Sequence, residues 1–351
     1  MKKIAILTAS MGLGTYIPAL SLKDELTFFN INSDIFLYED YISEDKRNNL
    51  KKYKKAFHND IRLAIAGHQL MGKLNKSSNT LEIAKKLYPL INAYDEIIVL
   101  SGNWIDILCV LEEEFHMAIA ITIIHLDCDK APSWQNKHKY PESIKNEIWL
   151  LGQTDKDAKY YLSKKDSLEF NKRDNRLLLY GGGWGMGNYL EYADELSQHI
   201  LLDVILHSPI DKINGENKNL YLFPEEWNPW QRKENNELYI PDLRICKQIN
   251  KKLLVTDKTI KNIFASQDRA LVSKPGGGTI IDALTYCTPL IFLDPISRHE
   301  QENASYYIKR GLAISIDEWR KLNYSNSVLE KISENINNYI SSLKPLSEIF
   351  V

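Results

Sequence analysis

Residues 273–284 read SKPGGGTIIDAL and place three consecutive glycines between two apolar segments. The preceding residues 269–272, RALV, predict a buried strand, and the apolar periodicity after the glycines predicts a helix. Glycine costs backbone entropy wherever order is needed, so three in a row indicate a place that a side chain would obstruct. A strand that ends in glycines and opens a helix exposes unpaired backbone N–H groups at the positive end of the helix dipole.

Gly276, Gly277, Gly278 and Thr279, called the glycine cradle from here on, predict a diphosphate site. An anion can approach their amides closely because no Cβ blocks it, and the Thr279 hydroxyl adds a donor. Asp282 follows one helical turn later on the face of Thr279, where a carboxylate can accept hydrogen bonds from two ribose hydroxyls. Because short glycine motifs are weak signals, a tight strand-to-helix turn with an ordinary exposed aspartate is the alternative.

The order of strand, glycine turn and helix occurs in both halves of the chain. It starts with KKIAILTA and SMGLG near the N-terminus and restarts with RLLLY and GGGWGMG after a polar segment near residues 165–175. Apolar strands without alternation, joined through helices, indicate parallel sheets covered on both faces. We predict an α/β protein with two Rossmann-like, doubly wound domains facing across a cleft, at residues 1–170 and 171–330. A last helix at 331–351 could cross back to the first domain.

The composition is that of an ordinary soluble globular protein of 351 residues, with 44% hydrophobic and 26% charged residues. A formal net charge of −2 gives no electrostatic case for nucleic acid. The four cysteines form no CxxC pair, which argues against a disulfide framework or a structural zinc site and fits a reducing cytoplasm. No apolar run approaches the ~18 residues needed to span a bilayer. The first residues predict a strand rather than a signal peptide, and we expect a cytoplasmic protein.

Two other segments are candidates for the cleft. The second glycine turn, residues 181–187 (GGGWGMG), matches neither the GxGxxG fingerprint nor a P-loop. It forms either a wall of the cleft or a close contact between helix and sheet. Residues 299–303, HEQEN, begin a predicted helix after the strand in TPLIFLDP. They suit a ligand rich in hydroxyls, or they form a solvated helix start whose acidic residues complement the dipole.

The combination GGGTIIDAL…PLIFLDP…HEQENA resembles the donor-site half of nucleotide-sugar glycosyltransferases of the GT-B fold. It is most similar to the group of the bacterial peptidoglycan N-acetylglucosaminyltransferase and the monogalactosyldiacylglycerol synthases. LLLYGGGWGMGNYLEYADEL resembles the opening of their C-terminal domain, and TASMGLGTYIPAL resembles their N-terminal glycine loop. The resemblance covers both domains but is strong only around 177–198 and 271–312. It implies an N-terminal acceptor-binding domain and a C-terminal nucleotide-sugar-binding domain.

The resemblance also implies donor-site roles. The cradle residues Gly277, Gly278 and Thr279 would hold the diphosphate, and Asp282 would take the place of the family's acidic residue on the ribose. Gln301, together with Glu300, would contact the donor sugar. In such enzymes backbone N–H groups and a helix end stabilise the departing diphosphate, so we expect neither an obligatory metal nor a cofactor.

Several remaining contacts are expected from the turns around the cleft. The nucleotide base would stack near Val255 in LLVTD. Trp104 and Trp184 each follow a glycine turn and would face the cleft, Trp104 towards the acceptor and Trp184 towards the donor. Gly183 would line the donor side, and Gly14 in the N-terminal loop would line the acceptor side.

The sequence departs from the family pattern at the catalytic base. The family carries a histidine three residues before the loop proline, where this chain has Thr15, and a threonine hydroxyl cannot act as a base near neutral pH. The substitutes lie after the fourth predicted strand in IIHLDCDKAPSW. Asp127 is the first choice, and it would take a proton from an acceptor hydroxyl during an inverting transfer. His125 and Asp129 are the other candidates, although His125 also fits a packed strand residue and Asp129 a cap.

The acceptor is left open. Residues 45–76 carry nine Lys and Arg against two Asp and could meet a membrane surface as in lipid-acting relatives, or they could be a solvated helix face. We expect a small-molecule acceptor such as a natural product, because this basic stretch lacks an aromatic-rich insertion edge. The alternative is a lipid or lipid-linked sugar at the membrane surface, with peripheral association.

We therefore predict an inverting transferase that uses a nucleoside-diphosphate sugar, with UDP favoured over dTDP. A nucleotide-sugar hydrolase or epimerase on the same fold is a second hypothesis, in which water or the enzyme itself completes the reaction. A catalytically silent partner that binds nucleotide sugars is a third, and Thr15 is the feature that supports it.

Overall fold

The computed structural model describes residues 2–74, 80–135, 137–208, 213, 217–246, 253–259 and 268–351. The segment TIKNIFASQD, residues 259–268, predicts a helix from its sequence, but it lies almost entirely outside these described residues. Among the helices that are described, none has the length and apolar character needed to cross a bilayer.

The N-terminal domain is built on five parallel strands. They are β1 (Lys3–Thr8), β2 (Asn32–Leu37), β3 (Glu96–Val99), β4 (Ala120–His125) and β5 (Ile144–Trp149). The order in the sheet is β2-β1-β3-β4-β5, and every neighbouring pair is parallel. The centre of β1 is fully buried, as expected for a strand covered on both faces.

The described part of the first domain contains five α-helices. They are α1 (Tyr16–Phe28), α2 (Glu44–Asn59), α3 (Ile61–Leu74), α4 (Thr80–Ile91) and α5 (Ile105–Phe115). One face packs with the buried apolar residues of α4 and α5, whereas α1 belongs to a core that continues into the second domain. Ser43 caps α2 by accepting a hydrogen bond from the Lys46 amide at 3.4 Å.

After a short strand, β6 (Tyr160–Tyr161), the C-terminal domain begins. Its strands are β7 (Asp174–Leu179), β8 (Leu201–Leu206), β9 (Lys218–Leu222), β10 (Asp242–Cys246), β11 (Leu253–Thr259), β12 (Asp268–Ser273), β13 (Leu290–Phe292) and β14 (Ala313–Ser315). The order is β11-β10-β9-β8-β7-β12-β13-β14. All neighbours are parallel except β10, which runs antiparallel to both β9 and β11.

The helices of the second domain are α6 (Ala193–Leu196), α7 (Gly277–Thr285), α8 (Arg298–Lys309), α9 (Ile316–Lys321) and α10 (Asn326–Ser342). After α10 the chain returns to the first domain. A last strand, β15 (Lys344–Pro345), pairs in parallel with β6, and Lys2 Nζ donates to the Phe350 carbonyl oxygen at 2.9 Å.

The two domains contact each other through α2 and the segment between β9 and β10. His58 at the end of α2 donates from Nδ1 to the Gly185 carbonyl oxygen in the second glycine turn, at 2.8 Å. From the other side, Arg232 forms an ion pair with Asp40, and the Tyr16 hydroxyl donates to the Tyr239 carbonyl oxygen at 3.0 Å. The segment between β9 and β10 therefore anchors one domain on the other.

Candidate donor and active site

A cleft between the two sheets collects the loops that follow the carboxyl ends of their strands, which is where ligands bind in such folds. The loop after β1, the loop after β4 and the end of α2 line it from the first domain. The second glycine turn, the glycine cradle and the start of α8 line it from the second. Its lining includes Gly12, Gly14, Thr15, Phe57, Asn103, Asp127, Tyr180, Gly183, Trp184, Lys274, residues 276–279, Asp282, His299 and Glu300.

The glycine cradle lies at the predicted junction of β12 and α7. Gly276 has extended backbone angles, and its carbonyl accepts the first helical hydrogen bond, from Ile280 N at 3.0 Å. A Cβ on Gly277 would stand 1.9 Å from the Leu126 carbonyl oxygen, and a Cβ on Gly278 would stand 3.1 Å from that of Gly14. The close approach of the first domain's backbone therefore leaves no room for a side chain at Gly277 and little room at Gly278.

Asp127 lies directly across the cleft from the cradle. Its Oδ1 accepts hydrogen bonds from the Gly277 amide at 3.1 Å and from Asn303 Nδ2 at 2.8 Å. The carboxylate at the end of β4 thus bridges to the first amide of α7, where the helix dipole favours a negative charge.

A buried ion pair lies beside the cradle. Lys274 Nζ contacts Glu300 Oε1, and Glu300 Oε2 accepts from the Ile296 amide at 2.9 Å. Burial acts to raise the pKa of Glu300, but Lys274, His299 and the Ile296 amide together lower it below its usual value. Glu300 is therefore a fixed carboxylate at the start of α8.

The structure separates Gln301 from Glu300, the two residues expected to face the sugar at the start of α8. Gln301 is exposed and is not among the residues that line the cleft, whereas His299 and Glu300 are buried and line it. The reason is helical phase, since consecutive residues point about 100° apart around a helix. The inward pair is His299 with Glu300.

The second glycine turn meets the N-terminal glycine loop. Gly182 and Gly185 have φ of 74° and 61°, which side chains rarely adopt. A Cβ on Gly183 would stand 2.4 Å from Leu13 Cβ. Trp184 packs against Phe57 of α2, with ring centroids 6.2 Å apart, and lines the cleft as expected.

Thr15 lines the cleft, but its hydroxyl is engaged within the N-terminal loop. Oγ1 donates to the Ala9 carbonyl oxygen at 2.7 Å, and Thr8 Oγ1 donates to the Thr15 carbonyl oxygen at 2.8 Å. These bonds hold the turn from β1 into α1. Gly14 lines the cleft next to it, with open space where a Cβ would be.

Two catalytic candidates lie outside the cleft lining. His125 is buried, its Nε2 contacts Glu147 Oε1 at 2.7 Å, and its ring stacks on Trp149 at 4.0 Å. These contacts fit the alternative interpretation, in which His125 is a packed strand residue. Asp129 is held at the rim by the Lys130 amide at 2.8 Å, with Arg298 Nε 3.2 Å from its Oδ2.

Trp104 and Val255 were also expected at the cleft. Trp104 is instead fully buried, and its Nε1 donates to the Thr8 carbonyl oxygen at 2.8 Å, whereas the neighbouring Asn103 lines the cleft. Val255 lies in β11 at the edge of the sheet, separated from the cradle strand by β10, β9, β8 and β7. The Val255 side chain lies outside the described residues, so its contact with the nucleotide base stays a prediction.

Sequence reasoning did not single out Glu39, a buried carboxylate that is hydrogen-bonded to the N-terminal glycine loop. Its side chain is 1% exposed, and both carboxylate oxygens lie 3.0 Å from the Ser10 amide. Burial raises the pKa of Glu39 to about 7, against the lowering effect of the Ser10 hydrogen bonds. The only sequence signal was an acidic residue directly after a buried strand.

This raised pKa predicts a pH-dependent stability. Between pH 4.5 and about 7 the folded protein retains the Glu39 proton while the unfolded chain releases it, so stability falls as the pH rises through this window. In the wild type, the free energy of unfolding should fall by about 3 kcal/mol across this window. In Glu39→Gln this fall should be absent. Urea unfolding at pH 5 and pH 8 measures it, with the exposed Glu114→Gln as control. A Glu39→Gln protein with the wild-type pH dependence would contradict the assignment.

No protein-family profile matches the chain. A processive diacylglycerol beta-glucosyltransferase of Staphylococcus saprophyticus is 24% identical over 337 residues, covering 88% of this chain and 80% of that protein. The Staphylococcus carnosus protein of the same description is 25% identical over 354 residues, covering 89% and 80%.

Solved structures of low identity share the whole fold. The Streptomyces sp. SF2575 glycosyltransferase SsfS6, complexed with thymidine diphosphate, has a TM-score of 0.56 at 9% identity and covers 99% of this chain and 98% of its own. MurG of Acinetobacter baumannii has a TM-score of 0.54 at 11% identity, covering 98% and 96%. The predicted GT-B fold is confirmed, and the chain is a glycosyltransferase of the nucleotide-sugar class.

Proposed function

We propose that this protein transfers a hexose from a UDP-sugar to the hydroxyl of a diacylglycerol-type lipid, with inversion at the anomeric carbon. The observation that carries the proposal is the Asp127 carboxylate facing the glycine cradle across the cleft. One side of the cleft offers amides for a diphosphate, and the other offers a base.

In this proposal the donor lies along the second domain. The cradle amides and the α7 dipole bind the diphosphate, and Asp282 accepts hydrogen bonds from the ribose hydroxyls. His299 and Glu300 face the sugar, in place of the Gln301 and Glu300 pair expected from the sequence. Preorganised amides and the nearby Lys274 ammonium stabilise the negative charge that develops on the leaving diphosphate.

The transfer is a single displacement. The acceptor oxygen forms a bond to the anomeric carbon while the bond from that carbon to the diphosphate oxygen breaks, and its electron pair leaves with UDP. The acceptor proton passes to Asp127. Attack from the side opposite the leaving group inverts the anomeric configuration.

Two observations favour the lipid over the small-molecule acceptor expected from the sequence. The relatives similar over most of the chain are named diacylglycerol glucosyltransferases. In addition, three residues of a buried apolar cluster, Phe57 of the basic helix α2 with Trp184 and Met186, line the cleft. On α3, Leu63 is 48% exposed. An apolar cleft lining next to a basic helix and an exposed leucine suits an acyl chain beside anionic headgroups.

The ribose assignment predicts a binding defect. Asp282→Ala is expected to weaken UDP binding by ~1.5–3 kcal/mol, because a charged hydrogen-bond acceptor for two hydroxyls is lost. Isothermal titration calorimetry measures it, and deoxy-ribose analogues of UDP should bind the variant and the wild type alike. Unchanged UDP affinity in Asp282→Ala would remove the assignment.

The acceptor is tested with purified protein, a panel of UDP-hexoses and vesicles of anionic phospholipid with and without diacylglycerol. Mass spectrometry should detect a hexosyl-diacylglycerol only when both substrates are present. A matched panel of soluble alcohols and phenols tests the small-molecule alternative. Glycosylation of soluble acceptors without lipid product would contradict the lipid proposal, and release of free sugar alone would favour the hydrolase hypothesis. UDP binding without turnover would favour the silent partner.

A further inference from the structure

The contact between Asp127 and Gly277 joins residues from different domains. The carboxylate belongs to the loop after β4, whereas the amide is the first of α7. An amide in this position is the donor that the proposed function assigns to a phosphate oxygen. An anionic group of the protein therefore occupies the place intended for an anionic group of the substrate.

Asn303 fixes this arrangement. It is fully buried on α8, and its Nδ2 donates to Asp127 Oδ1 at 2.8 Å and to the Pro275 carbonyl oxygen at 2.9 Å. Its Oδ1 accepts from the Cys128 amide at 2.7 Å. The amide orientation is determined, because the opposite one would place the NH₂ group against the Cys128 N–H.

The Gly277 N–H already donates to the Asp127 carboxylate, at 3.1 Å. The surroundings of this amide are also tightly packed. A Cβ on Gly277 would stand 1.9 Å from the Leu126 carbonyl oxygen and 2.6 Å from Asp127 Oδ1. A phosphate oxygen that accepts from Gly277 must therefore displace the carboxylate. Two negative groups sharing one donor would also repel each other.

We propose that Asn303 is a positioning residue that holds the Asp127 carboxylate on the Gly277 amide until the donor diphosphate replaces it. This rests on the proposed function, and it adds an order to the reaction. Binding of the donor frees Asp127 from the amide, so the carboxylate becomes available to the acceptor hydroxyl only when a diphosphate occupies the cradle. The displaced carboxylate remains within reach of the cleft because Asn303 still ties its loop to α8 through the Cys128 amide.

The test is the affinity for UDP alone, measured by calorimetry on the full chain. If the carboxylate competes with the diphosphate, Asp127→Ala should bind UDP roughly tenfold more tightly, the scale of one charged hydrogen bond. Asp127→Asn keeps an accepting oxygen without the charge, and its gain should be smaller. Unchanged or weaker UDP binding in Asp127→Ala would overturn the inference while leaving the donor site intact.

A double-mutant cycle separates positioning from simple structural support. Asn303→Ala should tighten UDP binding when Asp127 is present and have no effect on UDP binding in the Asp127→Ala background. An equal loss of affinity in both backgrounds would show a structural role and overturn the inference. If the wild type binds no UDP at all, the proposed function itself fails, which is distinguishable from both results.

Discussion

Replacing Gly277 by alanine is expected to lower turnover by roughly 100-fold or more, since small displacements of reacting groups have effects of that size. The new Cβ would stand 1.9 Å from the Leu126 carbonyl oxygen and 2.6 Å from Asp127 Oδ1. Because backbone cannot move aside as a flexible side chain does, the two domains must separate at the cradle. The base and the donor then no longer meet across the cleft.

Gly276→Ala is the matched control for this variant. Its Cβ would meet Lys274 Nζ at 3.4 Å and Glu300 Oε1 at 3.6 Å, which are ordinary contacts, and its backbone angles suit any residue. We expect this protein to keep the wild-type domain arrangement by small-angle X-ray scattering, whereas Gly277→Ala should be more open. Equal turnover and equal scattering in Gly277→Ala and the wild type would contradict the close approach.

Asp127→Asn is expected to lower turnover by roughly 100- to 10,000-fold, the usual contribution of a general base. The change keeps the size of the side chain but removes its capacity to accept a proton. Donor affinity should not weaken, so kcat falls while binding of the UDP-sugar is retained.

Asp129→Asn provides the comparison for that loss. Asp129 lies two residues away at the cleft rim, near Arg298, and the same acid-to-amide change there should leave turnover near the wild-type value. Initial rates with saturating donor and vesicle-bound acceptor measure both variants. Wild-type turnover in Asp127→Asn would leave the base unassigned. A similar loss in both variants would indicate that domain contacts, not proton transfer, control the rate.

The parallel sheets and the glycine cradle could be predicted because their signals are local. Unbroken apolar strands and the SKPGGGT junction each report the structure of a few adjacent residues. The placement of Asp127 at the cleft followed from the same logic, since the end of a central parallel strand reaches the ligand edge. Its bond to Gly277 could not be predicted, because the two residues are 150 positions apart and belong to different domains.

The misplaced contacts have physical reasons. Trp104 follows a glycine turn, but the Thr8 carbonyl oxygen satisfies its indole N–H inside the core. Gln301 and His299 point in different directions around α8, and the sequence motif alone does not determine which of them faces the cleft. Val255 lies in the edge strand β11, and its contact with the nucleotide base stays a prediction. Glu39 belongs to no recognisable sequence motif. Its role became visible only from its burial and its hydrogen bonds with the Ser10 amide.

The most direct test of the account is a crystal structure of the protein with UDP. We expect the diphosphate oxygens within hydrogen-bond distance of the Gly277 and Gly278 amides, the ribose on Asp282, and the Asp127 carboxylate moved off the Gly277 amide. A complex in which UDP binds elsewhere, with Asp127 still bonded to Gly277, would contradict the donor site and the residue roles built on it.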